Sequence, residues 1–333
     1  MSTTKTINLK NRPKGKPEVS DFDFTTSDIL ELQQGEVLLR TKYVSVDPYL
    51  RGRMSDAPSY ISPFELNKPV ESNCIAEVVA SKSDRIHTGD HVSGMLQWKE
   101  TQLIKADGLR TIDPDKAPLS AYLGILGMTG LTAYFGLTEM GKPKKGETLV
   151  VSGAAGAVGS IVGQIGKILG LHVVGIAGTD EKVGMLKFEF GFDEGINYNT
   201  AENMTKAIAK ACPNGVDVYF DNVGGEISDA VLLNLNKFSR TVNCGAISVY
   251  NNTEAPKSMS VRPFLIKKSS SMQGFVISDF VEKHPQGIAK LSEWLMEGKL
   301  HYTETIRDGF ENIPQAFLDL FDGKNKGKMI VKL

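Results

Sequence analysis

Short stretches in which apolar and polar residues alternate dominate the chain up to about residue 115. Four segments have the length and β-branched content of strands: EVLLRTKYVSV (36–46), CIAEVVA (74–80), HVSGML (91–96) and TQLIKA (101–106). Turn-forming pairs such as Asp47-Pro48 and Gly89-Asp90 separate several of them. This pattern predicts a compact, mainly antiparallel β domain.

From residue 148 the pattern alternates between two periods. TLVVSG and HVVGIAG are short apolar runs typical of buried strands, whereas AVGSIVGQIGKILG and DEKVGMLKFEF carry apolar residues at helical spacing. The alternation continues through GINY, a helix near 201–211, VDVYFDNV, a helix near 226–235, RTVNCG and SMQGFVI. Strands that alternate with helices of this length predict an α/β fold, with a doubly wound parallel sheet covered by helices on both faces.

The C-terminal part departs from this alternation. A helical pattern covers 279–297, where Pro285 marks either the true start of the helix or a break. After it, LHYTETIRDGF and KGKMIVKL are predicted strands on either side of a helix at 314–321. No further strand–helix–strand unit fits here, so we expect the tail to return to the first domain.

Composition narrows the functional class. A chain of 333 residues is long enough for two domains, and 38 basic against 39 acidic residues leave a net charge of −1, which favours small-molecule chemistry over nucleic-acid binding. Three widely spaced cysteines indicate a reducing compartment. Two long uncharged stretches, 117–138 and 148–166, contain four and five glycines and are predicted to be buried core rather than membrane spans. We expect a cytoplasmic protein without a membrane partner.

The segment GAAGAVG carries the clearest chemical signal. Gly153, Gly156 and Gly159 lie directly after a predicted strand and directly before a predicted helix. In a nucleotide-binding unit such glycines permit the tight turn, the approach of a pyrophosphate and the packing of helix on strand. Because the spacing is GxxGxxG rather than GxGxxG, a turn that serves packing alone remains the alternative.

The end of the second strand bears on the choice of cofactor. An NAD site usually places an acidic residue there to bind the ribose hydroxyls. Here HVVGIAG is followed by Thr179, Asp180, Glu181 and Lys182. We predict that Asp180 is the N-cap of the next helix with Glu181 in its first turn, which leaves Lys182 to meet a 2'-phosphate. The alternative is that Lys182 is an ordinary solvated helix residue.

Six motifs in order resemble one family. SVDPYLR (45–51), GMTGLTAYFGL (127–137), GAAGAVGSIVGQIGK (153–167), GTDEKV (178–183), FDNVGGE (220–226) and CGAISVYN (244–251) are similar to the zinc-independent medium-chain dehydrogenase/reductases, in the prostaglandin reductase and alkenal double-bond reductase group. The resemblance implies a GroES-like domain (1–125, completed by 300–333) and a Rossmann domain (126–299). It also implies a homodimer that uses NADPH to reduce the carbon–carbon double bond of enals and enones.

The same resemblance implies a set of cofactor-binding residues. Lys182 and Tyr198 would contact the 2'-phosphate, and Met128 and Thr129 would lie beside the nicotinamide. The pyrophosphate would be held by Gly156, Ala157, Val158 and Gly159. The rest of the cofactor site would be lined by Asn222, Cys244, Gly245, Ala246, Ile247, Ser248, Tyr250, Phe275, Val276, Ile277 and Asn325.

No metal is expected. A catalytic zinc needs a Cys, a His and a third ligand, and a structural zinc needs a cluster of four cysteines. The motif SVDPYLR stands where the zinc-dependent relatives keep their first cysteine, and PVESNCIAEV replaces their Gly-His-Glu. The five histidines are scattered, with no His/Cys pair at ligand spacing.

Without a metal, hydrogen-bond donors must stabilise an enolate oxygen, and Tyr250 and Tyr49 are the candidates. We predict hydride transfer to the β-carbon while Tyr250 binds the oxygen. The source of the α-carbon proton, Tyr250 or water, is left open, and Tyr49 is equally consistent with a wall of the pocket. Arg51 and Arg53 are interpreted as structural ion-pair partners rather than catalysts. Two rivals remain, namely a quinone oxidoreductase and a non-catalytic NADPH-binding sensor or structural protein.

Overall fold

The computed structural model describes residues 3–255 and 258–333, which divide into two compact units. The first contains the described part of Met1–Leu123 with Thr305–Asn325 and Met329–Leu333, and the second contains the described part of Gly124–Glu304 with Lys326–Lys328. The tail is therefore shared, whereas 300–333 was predicted to belong to the first domain. The cause is backbone pairing, because the N–H of Gly327 donates to the Ala155 carbonyl at 2.8 Å.

The N-terminal part of the first unit is built mostly from β-strands. In the described residues its elements are β1 (Thr3–Leu9), β2 (Phe22–Asp28), β3 (Glu36–Ser45), α1 (Leu50–Arg53), β4 (Lys68–Pro69), β5 (Glu71–Ser81), β6 (His91–Gln97), β7 (Thr101–Lys105) and β8 (Arg110–Ile112). Strand β3 shows the predicted alternation, since Val37 and Leu39 are fully buried. The β1–β2 hairpin was not predicted, because β1 buries threonines. Thr4, for example, donates its hydroxyl proton to the Thr101 carbonyl at 2.7 Å.

The second unit contains the parallel sheet. Its strands are β9 (Thr148–Ser152), β10 (His172–Ala177), β11 (Glu194–Asn197), β12 (Val216–Asp221), β13 (Leu235–Asn243) and β14 (Ser271–Gly274). Its helices are α2 (Met128–Phe135), α3 (Gly159–Ile168), α4 (Asp180–Phe188), α5 (Met204–Ala211), α6 (Gly225–Leu232), α7 (Arg262–Lys268) and α8 (His284–Met296). The parallel order β11-β10-β9-β12-β13-β14 confirms the doubly wound prediction.

Strand β9 lies at the centre of this sheet, and all five of its residues are buried. A parallel strand covered on both faces forms a continuous apolar run, which is why TLVVS was recognisable in the sequence. The strand order reverses between β9 and β12, and in such sheets ligands bind beyond the carboxyl ends of the strands at this reversal. A ligand is therefore expected beside the residues that follow β9, β10, β12 and β13.

The C-terminal elements complete both units. A 3₁₀ helix at Ile277–Lys283 precedes α8, and Pro285 lies in the first turn of α8, as predicted for a true helix start. The tail then forms β15 (Glu304–Asp308), α9 (Ile313–Phe321) and β16 (Lys328–Lys332), and β16 pairs antiparallel with β3. Helix α7 was not predicted from the sequence. Among the described residues, no helix is both long and apolar enough to span a membrane.

Candidate functional site

The turn between β9 and α3 is closed by glycines. Gly153 has a left-handed φ of +59°, and the N–H of Gly156 donates to the Gly153 carbonyl at 3.0 Å. A Cβ on Gly159 would lie 2.4 Å from that same carbonyl oxygen, and a Cβ on Gly156 would lie 3.2 Å from it. The chain therefore needs glycine for this path, which brings the first amides of α3 to the carboxyl end of β9.

A buried carboxylate ties the end of β9 to the loop that follows β12. Asp221, at the end of β12, accepts hydrogen bonds from the Ser152 hydroxyl at 2.8 Å and from the N–H groups of Val223 and Gly224 at 2.9 Å. The side-chain amide of Asn222 donates to the Ser152 carbonyl at 2.8 Å. The predicted cofactor residue Asn222 thus ties β12 to β9, a connection that the sequence did not reveal.

Beyond β10, the predicted helix cap moves by one residue. Thr179 is the N-cap of α4, because its hydroxyl accepts the N–H of Lys182 at 3.2 Å. Asp180, which was predicted as the cap, is instead the first residue of the helix and accepts a hydrogen bond from the Asn197 amide at 2.7 Å. Threonine competes well for this position because its hydroxyl reaches the amide three residues on.

Lys182 and Tyr198 both lie next to the carboxyl end of β10. Lys182 is half-buried, and its burial followed by the nearby charge of Lys326 lowers the pKa of its ammonium group. The N–H of Tyr198 donates to the Ala177 carbonyl at 3.0 Å, and a Cβ on Gly178 would lie 2.8 Å from the Tyr198 hydroxyl. The two residues predicted for the 2'-phosphate therefore flank the same strand end.

Lys326 was missed by the sequence reasoning, although it stands in the KNKGK motif that contains Asn325. Its ammonium group pairs with the Glu181 carboxylate in the first turn of α4. Basic residues near the end of a chain carry no positional signal by themselves. Only the return of the tail to the second unit places this cation beside Lys182.

The segment from Cys244 to Tyr250 follows β13. The N–H groups of Cys244 and Gly245 donate to the Asp221 carbonyl at 2.8 and 3.1 Å, and a 3₁₀ helix follows at Ile247–Val249. The Tyr250 hydroxyl accepts the N–H of Ala246 at 3.2 Å. Burial raises the pKa of Tyr250 above its ordinary value, while the Ala246 amide acts in the opposite direction. The phenol is therefore protonated at neutral pH and able to donate.

Other predicted site residues in this segment and after β14 make contacts of their own. Ser248 donates its hydroxyl proton to the Val223 carbonyl at 2.6 Å, and the N–H of Ile247 donates to the Asn222 carbonyl at 3.3 Å. The ring of Phe275 packs edge-on against Phe220 and Phe280, so its side chain belongs to an aromatic cluster. The N–H of Val276 bonds Asp279 at 3.3 Å, and Ile277 begins the 3₁₀ helix described above.

Met128 and Thr129 begin α2. Thr129 is buried and donates its hydroxyl proton to the Gly124 carbonyl at 3.0 Å. The small cavity beside it is also lined by Ala157 of the glycine turn. The structure thus brings one predicted nicotinamide residue and one predicted pyrophosphate residue to the same space.

Tyr49 and Asn325 belong to the first unit. Tyr49 immediately precedes the single turn of α1, and burial together with the Asp47 carboxylate raises its pKa well above the ordinary value. Asn325 directly precedes Lys326 in the chain. In the described ranges 3–255 and 258–333, no group of three or more His, Cys, Asp or Glu side chains is arranged to bind a metal ion.

Two family models match the chain. One is described as the N-terminal domain of oxidoreductase and covers residues 5–112. The other is described as zinc-binding dehydrogenase and covers residues 157–294. The first match covers the strand-rich start of the first unit, and the second covers α3 and the strands β10 to β14 of the second unit.

Individual relatives match the chain over almost its full length. A Bacillus subtilis protein assigned as an NADP-dependent oxidoreductase is 58% identical over 329 residues, covering 98% of this chain and 97% of the relative. The NADP⁺-dependent 2-alkenal reductase of Nicotiana tabacum is 40% identical over 336 residues, covering 99% and 97%. The crystal structure of CurA from Vibrio vulnificus in complex with NADPH superimposes with a TM-score of 0.93 at 42% identity, covering 98% of each chain.

Proposed function

The chain belongs to the medium-chain dehydrogenase/reductase family, in its prostaglandin reductase and alkenal double-bond reductase group, and from this premise we propose that it reduces the carbon–carbon double bond of α,β-unsaturated aldehydes or ketones with NADPH. The observation that carries the proposal is the glycine turn at the carboxyl end of β9. A Cβ at Gly159 would lie 2.4 Å from the Gly153 carbonyl oxygen, so only glycine lets α3 begin this close to the end of β9, where its first amides can meet a pyrophosphate.

The residues present fit NADPH. The turn from Gly156 to Gly159 offers backbone amides to the pyrophosphate, and Lys182 and Tyr198 flank the strand end where a 2'-phosphate would be bound. Along the rest of the cofactor we propose Met128, Thr129, Asn222, the segment 244–250, Phe275 to Ile277, and Asn325. Bound NADPH supplies a hydride for the β-carbon of the substrate.

Tyr250 is proposed as the donor to the substrate carbonyl. Its raised pKa keeps the hydroxyl protonated at neutral pH, and the Ala246 amide stabilises negative charge on the phenolic oxygen, which makes the hydroxyl a better donor. An oxygen that gains charge during the reaction is stabilised by such a preorganised donor. Either Tyr250 or a water molecule delivers the proton to the α-carbon.

The test is a panel of 2-alkenals, enones and small quinones, each assayed with NADPH under identical conditions. We expect 2-alkenals and enones to be consumed and the saturated carbonyl compound to accumulate. Faster turnover of quinones would replace the proposal by a quinone oxidoreductase. Binding of NADPH without turnover of any electrophile would indicate a sensor or structural protein.

We propose in addition that catalysis needs no metal. The scattered histidines of the sequence support this, as does the lack of a three-ligand cluster within residues 3–255 and 258–333. Prolonged chelation should leave the turnover of a 2-alkenal unchanged, with far less than one zinc per chain by elemental analysis. Stoichiometric zinc whose removal abolishes activity would contradict the proposal.

The family resemblance also supports a homodimer that acts on small molecules in the cytoplasm. Light scattering on the purified protein tests the dimer, since a monomeric mass would contradict it. Fractionation of cells tests the location, because recovery in a membrane fraction would contradict a cytoplasmic protein.

A further inference from the structure

Two lysines lie close together beside α4, with a carboxylate near both. Lys326 forms an ion pair with Glu181, and its charge lowers the pKa of Lys182 after the larger effect of burial. Glu181 acts on the same Lys182 pKa in the opposite direction. Two cations and one anion thus share a small region at the carboxyl end of β10.

The backbone holds Lys326 in this position tightly. The next residue, Gly327, has a φ of +60°, and a Cβ on it would lie 1.8 Å from the Thr303 carbonyl oxygen. The N–H of Gly327 donates to Ala155 at 2.8 Å, Gly327 forms a parallel bridge with Gly156, and the N–H of Lys328 donates to Thr303 at 2.9 Å. The backbone of Lys326, which directly precedes Gly327, is therefore fixed beside the glycine turn.

Stability alone does not explain the arrangement. Glu181 is 71% exposed and Lys326 40% exposed as side chains, and ion pairs between exposed groups contribute only about 0–1 kcal/mol. The carboxylate of Glu181 is already favourable in the first turn of α4, where it faces the positive end of the helix dipole. The second cation adds positive charge beside Lys182.

We propose that Lys326 is a second cation for the 2'-phosphate of NADPH, and that Glu181 is the counter-ion it exchanges for that phosphate. This inference rests on the proposed function. A phosphate monoester carries a charge of about −1.5 to −2 at pH 7 and so competes with a single carboxylate for the ammonium group. With NADH there is no such phosphate, and Lys326 stays paired with Glu181. Lys326 is therefore a specificity-determining residue.

The test measures binding by calorimetry, independently of activity. The probes are NADPH, NADH and adenosine 2',5'-bisphosphate, with adenosine 5'-monophosphate as the reference that lacks the 2'-phosphate. We expect Lys326→Met to weaken NADPH and the bisphosphate about 10-fold, and to leave NADH and the monophosphate within about twofold. The loss should shrink as salt is added, because the contact is electrostatic.

A second substitution tests the role of Glu181. In Lys326→Met its carboxylate lacks the Lys326 counter-charge near the incoming phosphate, so Glu181→Gln in that background should recover part of the NADPH affinity. Lys326→Arg, which keeps the charge, should bind close to the wild-type chain. If Glu181→Gln recovers no affinity in the Lys326→Met background, the counter-ion role is overturned.

Lys187 is the matched control. Lys187 lies on α4, the helix that carries Glu181 and Lys182. Its side chain is 38% exposed, and it pairs with Glu194 at 3.1 Å. Lys187→Met should leave the NADPH to NADH affinity ratio unchanged. Thermal unfolding of both variants shows that a loss of binding is not a loss of folding.

The outcomes separate this inference from the proposed function. If wild-type protein prefers NADPH and Lys182→Ala removes that preference while Lys326→Met does not, only the assignment of Lys326 fails. Equal weakening of NADPH and NADH by Lys326→Met also overturns it and leaves the function intact. If wild-type protein binds NADH as tightly as NADPH, the proposed cofactor and the second cation fail together.

Discussion

The turn between β9 and α3 is predicted to hold the pyrophosphate, and the segment from Ser45 to Met54 carries Tyr49, predicted as a donor or as a wall of the pocket. Different contacts hold the two. The turn is shaped by backbone contacts within seven residues, such as that between Gly159 and the Gly153 carbonyl. The segment in the first unit is held by side-chain contacts to residues outside it. Arg51 donates to the Gly15 carbonyl at 2.9 Å, and Arg53 donates to the Ser62 carbonyl at 3.0 Å.

The difference shows which sites a sequence reveals. A site made of backbone amides needs glycines at fixed spacing, and that spacing is visible in the chain. A site made of side chains depends on what packs around them. The guanidinium of Arg53, for example, lies 4.0 Å above the ring centre of Phe64. The ion pair predicted for Arg53 is formed with Glu71 at 3.8 Å, but the carbonyl and aromatic partners of Arg51 and Arg53 could not be named beforehand.

The largest expected effect comes from breaking the turn. In Gly159→Val, a Cβ 2.4 Å from the Gly153 carbonyl oxygen forces the turn to move. We expect a loss of about 3 kcal/mol or more in the free energy of unfolding and no measurable binding of NADPH. Thermal unfolding and fluorescence titration with NADPH measure the two quantities.

Gly184 is the control for that substitution, because the nearest atom to a Cβ there is 4.0 Å away. Since alanine favours a helix over glycine by about 1 kcal/mol, Gly184→Ala in α4 should be as stable as the parent or slightly more stable. Normal NADPH binding by Gly159→Val would show that the turn does not act as a backbone site.

Tyr250→Phe tests the side-chain part of the second unit. It keeps the ring but removes one donor, so we expect kcat to fall about 10- to 1000-fold while NADPH affinity stays nearly intact. Because the folded protein holds the Tyr250 pKa above its ordinary value, the parent should keep its kcat through mildly alkaline pH. A kcat within about twofold of the parent would move the donor role to the cofactor ribose hydroxyl or to water.

Lys182→Ala addresses the choice of cofactor. Removing a charged group that bonds the 2'-phosphate should weaken NADPH by about 1–3 kcal/mol and leave NADH almost unchanged. Titration of the variant and the parent with each cofactor gives the ratio of NADPH to NADH affinity directly. Equal losses for both would mean that Lys182 is an ordinary residue of α4.

Tyr49→Phe has the smallest expected effect. The Asp47 carboxylate next to Tyr49 opposes negative charge on its oxygen, so Tyr49 is a poorer donor than Tyr250, which has an amide on its oxygen. We expect kcat to change by no more than about threefold, because the ring keeps its packing. Steady-state kinetics on Tyr49→Phe and Tyr250→Phe show which substitution lowers kcat more. A larger loss for Tyr49→Phe than for Tyr250→Phe would reverse the roles of the two tyrosines.

The missed elements share a physical cause. The β1–β2 hairpin was missed because β1 buries polar threonines, of which Thr4 bonds the backbone through its hydroxyl, so its pattern did not resemble a core strand. The cap of α4 was placed one residue late because Thr179 and Asp180 are both good caps. For the hairpin, a hydrogen-bond partner distant along the chain decided which residues form a strand. For the cap, the choice between two neighbouring residues decided where the helix begins.

The sequence by itself determined the doubly wound sheet, the glycine turn after β9 and the family. Each of these depends on local periodicity, on backbone freedom or on motifs in a fixed order. Only the tertiary structure decided that Asp221 bonds Ser152 at the end of β9, that the Tyr250 hydroxyl meets the Ala246 amide, and that Lys326 lies beside Lys182. These pairs join strand ends, a loop and the tail, and their side chains come together only after the chain has folded.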